Sequence, residues 1–381
     1  MTSSTGQMAR QVPIAAPSTG DEEWEACREP LLNGWLTQGP KVVEFEQAFA
    51  QRHQVDHAIA TTSCTTALHL ALAAAGIGSG DEVIVPAFTW VATANVVRYC
   101  GATPVFVDVD PTTYNLDVDR LQAALTSRTR AVIPVHLFGL CADTDPVRAT
   151  VGDNLFVLED AACAAGASYH GRPAGTLGDA AAFSFHPRKS ITTGEGGMIT
   201  TNQAELADRA RRLRNHGASI SEEDRHRGPQ PFLLADFDEV GFNYRMTDLQ
   251  AAIGSVQLRK LDRFIAERRR WASWYAQELA SLAWLRVPDV PPGLDHAWQA
   301  FVCVVDEDAP APRNRLMAAL EQKGISTRPG THAVTELGAY RAWRGHCPVA
   351  ARLEEQTMAL PLHNRMSEDD FHYVVDELRR L

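Results

Sequence analysis

Only four lysines, Lys41, Lys189, Lys260 and Lys323, occur among the 381 residues, against 32 arginines. Any chemistry that needs a primary amine has four places to happen. No stretch approaches the roughly 18 apolar residues of a membrane-spanning helix. Residues 1–17 also lack the apolar core of a secretory signal, so the chain is expected to be cytoplasmic. The seven cysteines include no C-x-x-C pair, and no Cys/His cluster has zinc spacing, which predicts free thiols and no metal. No block of five like charges exists, and 36 basic residues face 47 acidic ones for a net charge of -11. Such a chain lacks the basic footprint that nucleic acid requires. Its densest basic run, Arg268-Arg269-Arg270, falls in a helical pattern and reads as a solvated face. No solenoid-length repeat is present.

The sequence does contain short apolar runs alternating with helical patterns. Residues 82–85, 105–109, 131–135, 155–158 and 180–185 read as strands buried on both faces. Residues 65–75 and 118–125 read as helices between them. Over 202–217, Asn202 is a candidate N-cap with Glu205 as its capping-box partner and Gly217 as the stop. This alternation predicts an α/β fold with a mostly parallel central sheet and helices on both faces. A capping box at Thr247 and Gln250 opens a long helix, followed by a strand over 301–305, a helix over 313–323 and a last helix after Ser367. The chain divides on this reading into an N-terminal arm and large domain (1–245) and a linking helix with a small α+β domain (246–381).

Three lysines have ordinary explanations. Lys323 sits at a helix end, where a cation complements the dipole, Lys260 lies beside Arg259 on the long helix, and Lys41 is expected to be solvated. Lys189 differs, because it follows the apolar run 180–185 and precedes the glycine-rich run Thr192-Thr193-Gly194-Glu195-Gly196-Gly197. Ligands of open α/β sheets bind outside the carboxyl ends of the strands, so Lys189 is placed to hold pyridoxal 5'-phosphate as a Schiff base.

Such a cofactor must be gripped by its ring nitrogen, its phosphate and its faces. Asp160, ending Leu155-Phe156-Val157-Leu158-Glu159-Asp160, can keep the ring nitrogen protonated, although either acid could instead cap the alanine-rich stretch that follows. The hydroxyls of Thr61-Thr62-Ser63-Cys64-Thr65-Thr66 lead into a helix, where they suit a phosphate or simply an N-cap, and Ser184 is a second phosphate candidate. Trp90 is a candidate stacking face, with a place in the core as the alternative.

From Trp35-Leu36-Thr37-Gln38-Gly39-Pro40 to Leu360-Pro361-Leu362-His363 these residues resemble the DegT/DnrJ/EryC1/StrS sugar aminotransferases, of the fold type I class of pyridoxal phosphate enzymes. The densest motif is Phe183-Ser184-Phe185-His186-Pro187-Arg188-Lys189 with the Gly-rich run. The resemblance implies that Lys189 is the Schiff-base lysine, Asp160 the ring-nitrogen partner, Trp90 the stacking residue, and Thr65 and Ser184 phosphate ligands beside Cys64. It implies that Asn243, in Gly241-Phe242-Asn243-Tyr244-Arg245, completes the phosphate site across an obligate homodimer. Cys163 stands where the family often has Gln or His, which leaves at most a weak thiol contact to the cofactor.

The activity implied is a transamination with glutamate as expected donor and a nucleotide-linked keto-sugar as acceptor. The His-Pro-x-Lys form looks more like members that aminate C4 of a 4-keto-6-deoxy sugar than C3. His186, Glu195, Arg328 and His332 are the acceptor-side candidates. A keto-cyclitol acceptor, or dehydration on the same cofactor, would use the same core residues. A ligand-sensing regulator would need a fused basic module, for which the chain has neither length nor charge.

Overall fold

In the computed structural model, which describes residues 10–219 and 234–381, the apolar runs pair into one seven-stranded sheet. Its order is His57–Thr61, Gly197–Thr201, Ala180–Ser184, Phe156–Asp160, Thr129–Val132, Glu82–Pro86 and Thr103–Val107. The last five are mutually parallel, while Gly197–Thr201 runs antiparallel to both of its neighbours.

Strand pleating sends alternate side chains to opposite faces. Ala180 and Ala182 join a cluster with Leu68, Leu72, Leu206 and Leu213 of the helices Cys64–Ala74 and Ala204–Arg214. Ala181 and Phe183 face the other way, against Phe45 and Phe49 of Pro40–His53 and Leu258 and Phe264 of Asp248–Leu279. Burying each such Phe contributes about 1.5–3 kcal/mol. Helix cover on both faces therefore explains why these strands are apolar throughout.

The helix Asp248–Leu279 opens with the capping box in which Thr247 Oγ1 accepts from Gln250 N. It leads to a four-stranded antiparallel sheet ordered Leu285–Arg286, Phe301–Val305, Thr357–Leu360, Arg328–Pro329. Leu316, Leu320, Phe371 and Val374, from the helices Arg313–Gln322 and Glu368–Arg379, share its core with Val12 of the N-terminal arm. The last helix starts on Ser367, as its sequence pattern predicts. Of the arm read over 1–17, residues 1–9 lie outside the described residues. No helix among the described residues is long and apolar enough to cross a membrane.

Several local expectations give way to tertiary partners. Asn202 is no N-cap: its Oδ1 accepts from Asp56 N at 2.9 Å, and the helix Ala204–Arg214 starts from Gln203. The strand expected at 105–109 is Thr103–Val107, partly exposed at the sheet edge. Residues 118–125 form only a 3-10 turn and one short α-turn. Arg268 does not belong to a solvated face. It is 5% exposed, donates to the carbonyls of Trp298 and Leu362, and burial lowers its pKa to about 10. Lys41 is likewise not a free charge, since it pairs with Glu29 at 2.8 Å and Glu44 at 3.1 Å. All seven cysteines are free thiols.

Candidate active site

Register places the chemistry. Thr61 pairs with Gly197 and Gly197 with Ser184, so one rung carries the ends of three strands, and Asp160 stands opposite Ala182 two residues lower. Lys189 follows Ser184 off this edge in a turn closed by Lys189 N donating to His186 O at 2.8 Å. A Cβ on Gly197 would fall 2.4 Å from the carbonyl of Ser63, so the close seat of the Ser63–Cys64 backbone against this strand requires glycine. Ser63, not Thr65, caps the helix Cys64–Ala74, accepting from Thr66 N. Cys64 Sγ contacts Ala182 O at 3.5 Å, which ties the helix start to the lysine strand.

Asp160 is 5% exposed. Its Oδ2 accepts from Thr93 Oγ1 at 2.7 Å and its Oδ1 from Ala162 N at 3.2 Å. Burial raises its pKa, opposed by Thr93, by Ala162 N and by the charge of Lys189. Neither acid of the Glu159-Asp160 pair caps a helix. Pleating sends Glu159 to the opposite face, where it meets His136 Nε2 at 2.9 Å and accepts from the amides of Gly175, Leu177 and Gly178.

Lys189 Nζ donates to Cys163 Sγ at 3.2 Å, and among the described residues no carboxylate lies within 4.0 Å of it. Burial opposes its charge, but Cys163, Cys64 and Asp160 outweigh that and hold its pKa above the ordinary range. The Cys163 thiol, read from sequence as a weak contact to the cofactor, here accepts from the lysine. Adjacent Ser190 Oγ is buried without a hydrogen-bond partner among the described residues. A buried acid, an amine without a carboxylate, an orphaned hydroxyl and a hydroxyl-rich helix start on one strand edge fit a phosphorylated pyridine aldehyde.

Trp90 is 58% exposed, outside the core, with its ring 5.6 Å from that of His332. His332 is held by Glu354 Oε1 at 3.2 Å from its Nδ1, and its strand pairs with Phe88–Thr89. Ser184 is buried and accepts from His186 N, while Thr65 is half-buried. His186 Nδ1 accepts from Arg188 N, and burial lowers the pKa of its ring. Glu195 is exposed and contributes its carbonyl to Thr193 and Gln250. Arg328 is exposed on the small sheet, opposite Ala359. Asn243 is exposed and bridges to Asn215, while Tyr244 O accepts from Thr62 N.

The structure therefore groups Lys189, Cys163, Cys64, Asp160 and Ser184, and separately pairs Trp90 with His332. Among the described residues no hydrogen bond or ion pair joins Arg328 or Asn243 to the lysine group. Nothing in the sequence marks Thr93 or His136 as part of the site, and Glu159 reads there only as a possible helix cap. The only local signal was the spacing of Thr89 and Thr93, which carries no information about a partner 67 residues away.

Comparison with known proteins identifies the family. The family model described as the DegT/DnrJ/EryC1/StrS aminotransferase family matches residues 17–379. The chain is 42% identical over 372 residues to GDP-perosamine synthase of Caulobacter vibrioides, covering 97% of each. It is similar to the crystal structure of the aminotransferase TlmJ from Streptoalloteichus hindustanus, with a TM-score of 0.89, 33% identity and coverage of 97% and 98%. It is also similar to the PLP form of Spr1654 from Streptococcus pneumoniae, with a TM-score of 0.89, 27% identity and coverage of 98% and 100%. The chain belongs to the DegT/DnrJ/EryC1/StrS aminotransferase family and is a pyridoxal phosphate-dependent aminotransferase.

Proposed function

We propose that this aminotransferase moves an amino group from glutamate to a nucleotide-linked 4-keto-6-deoxy sugar, as a cytoplasmic homodimer with shared sites. The observation that carries the core of this reading is Lys189 beside Cys163, on the same strand edge as Asp160. The acceptor is supported by the similarity to GDP-perosamine synthase, which is named for a nucleotide-linked amino sugar, and the C4 position by the His-Pro-x-Lys form of the lysine motif.

The cofactor, when bound, supplies an electron sink for the carbanion formed at the donor's α-carbon. Lys189 would anchor it and would move a proton to and from that carbon. Asp160, at the ring nitrogen, keeps it protonated, because a buried carboxylate stabilises a neighbouring positive charge strongly. Trp90 covers the ring face and Ser184 and Thr65 hold the phosphate, with Cys64 and Cys163 lining the site and Asn243 of the partner subunit closing it. His186, Glu195, Arg328 and His332 face the acceptor.

The test is an absorbance spectrum of the protein with added pyridoxal phosphate, beside Lys189→Ala. The wild type is expected to show a visible band that borohydride bleaches as it fixes the cofactor to the protein, and the variant neither. Cofactor fixed to the variant by borohydride overturns the assignment of Lys189. A panel of dTDP-, UDP- and GDP-linked 4-keto-6-deoxy sugars, 3-keto sugars and scyllo-inosose then tests the acceptor. Amination of the cyclitol alone overturns the sugar reading, and keto-product without amine incorporation points to dehydration.

A further inference from the structure

Asp160 has a soft degree of freedom that its role does not tolerate. The terminal torsion of an aspartate is broad and roughly two-fold, so a carboxylate held through one oxygen swings. Here Ala162 N holds Oδ1 at 3.2 Å and Thr93 Oγ1 holds Oδ2 at 2.7 Å. Together the two contacts fix the carboxylate plane.

The direction of the second contact follows from donor counting. An ionised carboxylate only accepts, so the single Thr93 proton is aimed at Oδ2. Thr93 Oγ1 also lies 3.0 Å from Thr89 Oγ1. With its own proton spent, Thr93 must accept there, and Thr89 must donate. The chain Thr89 to Thr93 to Asp160 is therefore polarised one way, with every hydroxyl buried: Thr93 is 0% and Thr89 1% exposed.

Threonine near a helix start ordinarily bonds backbone groups of its own turn. Thr93, in the first turn of Ala92–Tyr99, spends its proton on a different strand instead. Thr89 stands opposite His332, so the strand pair carrying Trp90's neighbour anchors the far end of the chain.

We propose that Thr93, backed by Thr89, is a positioning residue that aims the Asp160 carboxylate at the cofactor's ring nitrogen. This rests on the reading of Asp160 as the ring-nitrogen partner. Lys189, His136 and Cys64 are the other titratable groups acting on that acid.

The test uses the full-length chain as apo-protein and loaded with pyridoxal phosphate, comparing Thr93→Val, Thr93→Ser, Thr89→Val and Asp160→Asn. Two quantities are read: the dissociation constant for pyridoxal phosphate, and the pH midpoint at which the visible band titrates. A hydroxyl to a buried carboxylate is a charge-assisted bond, so Thr93→Val should weaken binding about tenfold. With the ring nitrogen less firmly protonated, the lysine-bound nitrogen becomes more basic, and the midpoint should rise by about half a pH unit or more. Thr93→Ser should restore both.

A wild-type dissociation constant and midpoint in Thr93→Val overturn the proposal, as does a Ser variant as impaired as Val, which would assign the effect to the methyl group. Should the Val variant not fold, Thr89→Val carries the test, with a smaller rise of the midpoint expected and a wild-type midpoint overturning the relay. If Asp160→Asn itself leaves both quantities unchanged, the reading of Asp160 fails. If Asp160→Asn disturbs them and Thr93→Val does not, only the role of Thr93 fails.

Discussion

Lys189 Nζ rests 3.2 Å from Cys163 Sγ, with no carboxylate within 4.0 Å among the described residues. The amine proposed to anchor the cofactor is thus solvated by sulfur. Of the groups that sustain its charge against burial, Cys163 contributes most. Replacing Cys163 by alanine should let burial prevail and lower the lysine pKa, leaving more neutral amine at pH 7. Apo-Cys163→Ala should capture pyridoxal phosphate faster than wild type, by about tenfold for each pH unit through which the lysine pKa falls. Stopped-flow absorbance measures this, and a slower capture would contradict it.

Glu159 and His136 form a pair with both side chains 0% exposed. His136 Nδ1 accepts from Ala142 N, so its proton must lie on Nε2, pointing at Glu159. Three backbone amides depend on the same carboxylate. Glu159→Ala orphans all of these donors and is expected to cost about 3–5 kcal/mol of stability. A lowered urea midpoint, with far-UV signal retained before the transition, reads this out.

Acid should destabilise the fold through histidines that remain neutral inside it. Burial lowers the pKa of His53 to about 4, where it stacks on Phe49 at 4.0 Å and Nδ1 donates to Phe49 O. Above pH 6.5 it is neutral whether folded or not and contributes nothing to the pH dependence. Between 6.5 and about 4 the unfolded chain takes up a proton that the folded chain refuses, so stability falls as pH falls. His363 and His296 act in the same direction, with pKa values lowered to about 4 and about 3. On acidification across this window the melting temperature of the wild type should fall further than that of His53→Phe.

On the proposed homodimer with shared sites, a complementation experiment is quantitative. Lys189→Ala and Asn243→Ala should each be nearly inactive alone. Co-refolded in equal amounts they should recover about one quarter of wild-type activity, because half of the dimers are mixed and each holds one intact site. No recovery would place Asn243 in the same site as its own Lys189, or outside the site altogether.

Much of the architecture was legible because it depends on neighbours in sequence. The capping boxes at Thr247 and Ser367 form within a single turn, and the alternating environments of Ala180 to Phe183 follow from pleating alone. Lys189 emerged by elimination among four lysines, and its place after a strand was enough to put it at a strand's carboxyl end.

What the sequence could not determine depends on groups far apart in the chain. Asn202 has the chemistry of an N-cap, but Asp56 N competes for the same oxygen and wins. Arg268 reads as a surface charge because its partners, the carbonyls of Trp298 and Leu362 and the side-chain oxygen of Asn364, lie 30 to 96 residues away in the chain. Glu159 and Asp160 are chemically near-equivalent neighbours, and only the sheet decides which faces His136 and which faces Thr93. Local sequence determined the elements and the candidate lysine. Tertiary structure decided the protonation environment and the aim of each group, because hydrogen bonds and burial are properties of the assembled edge and not of any segment within it.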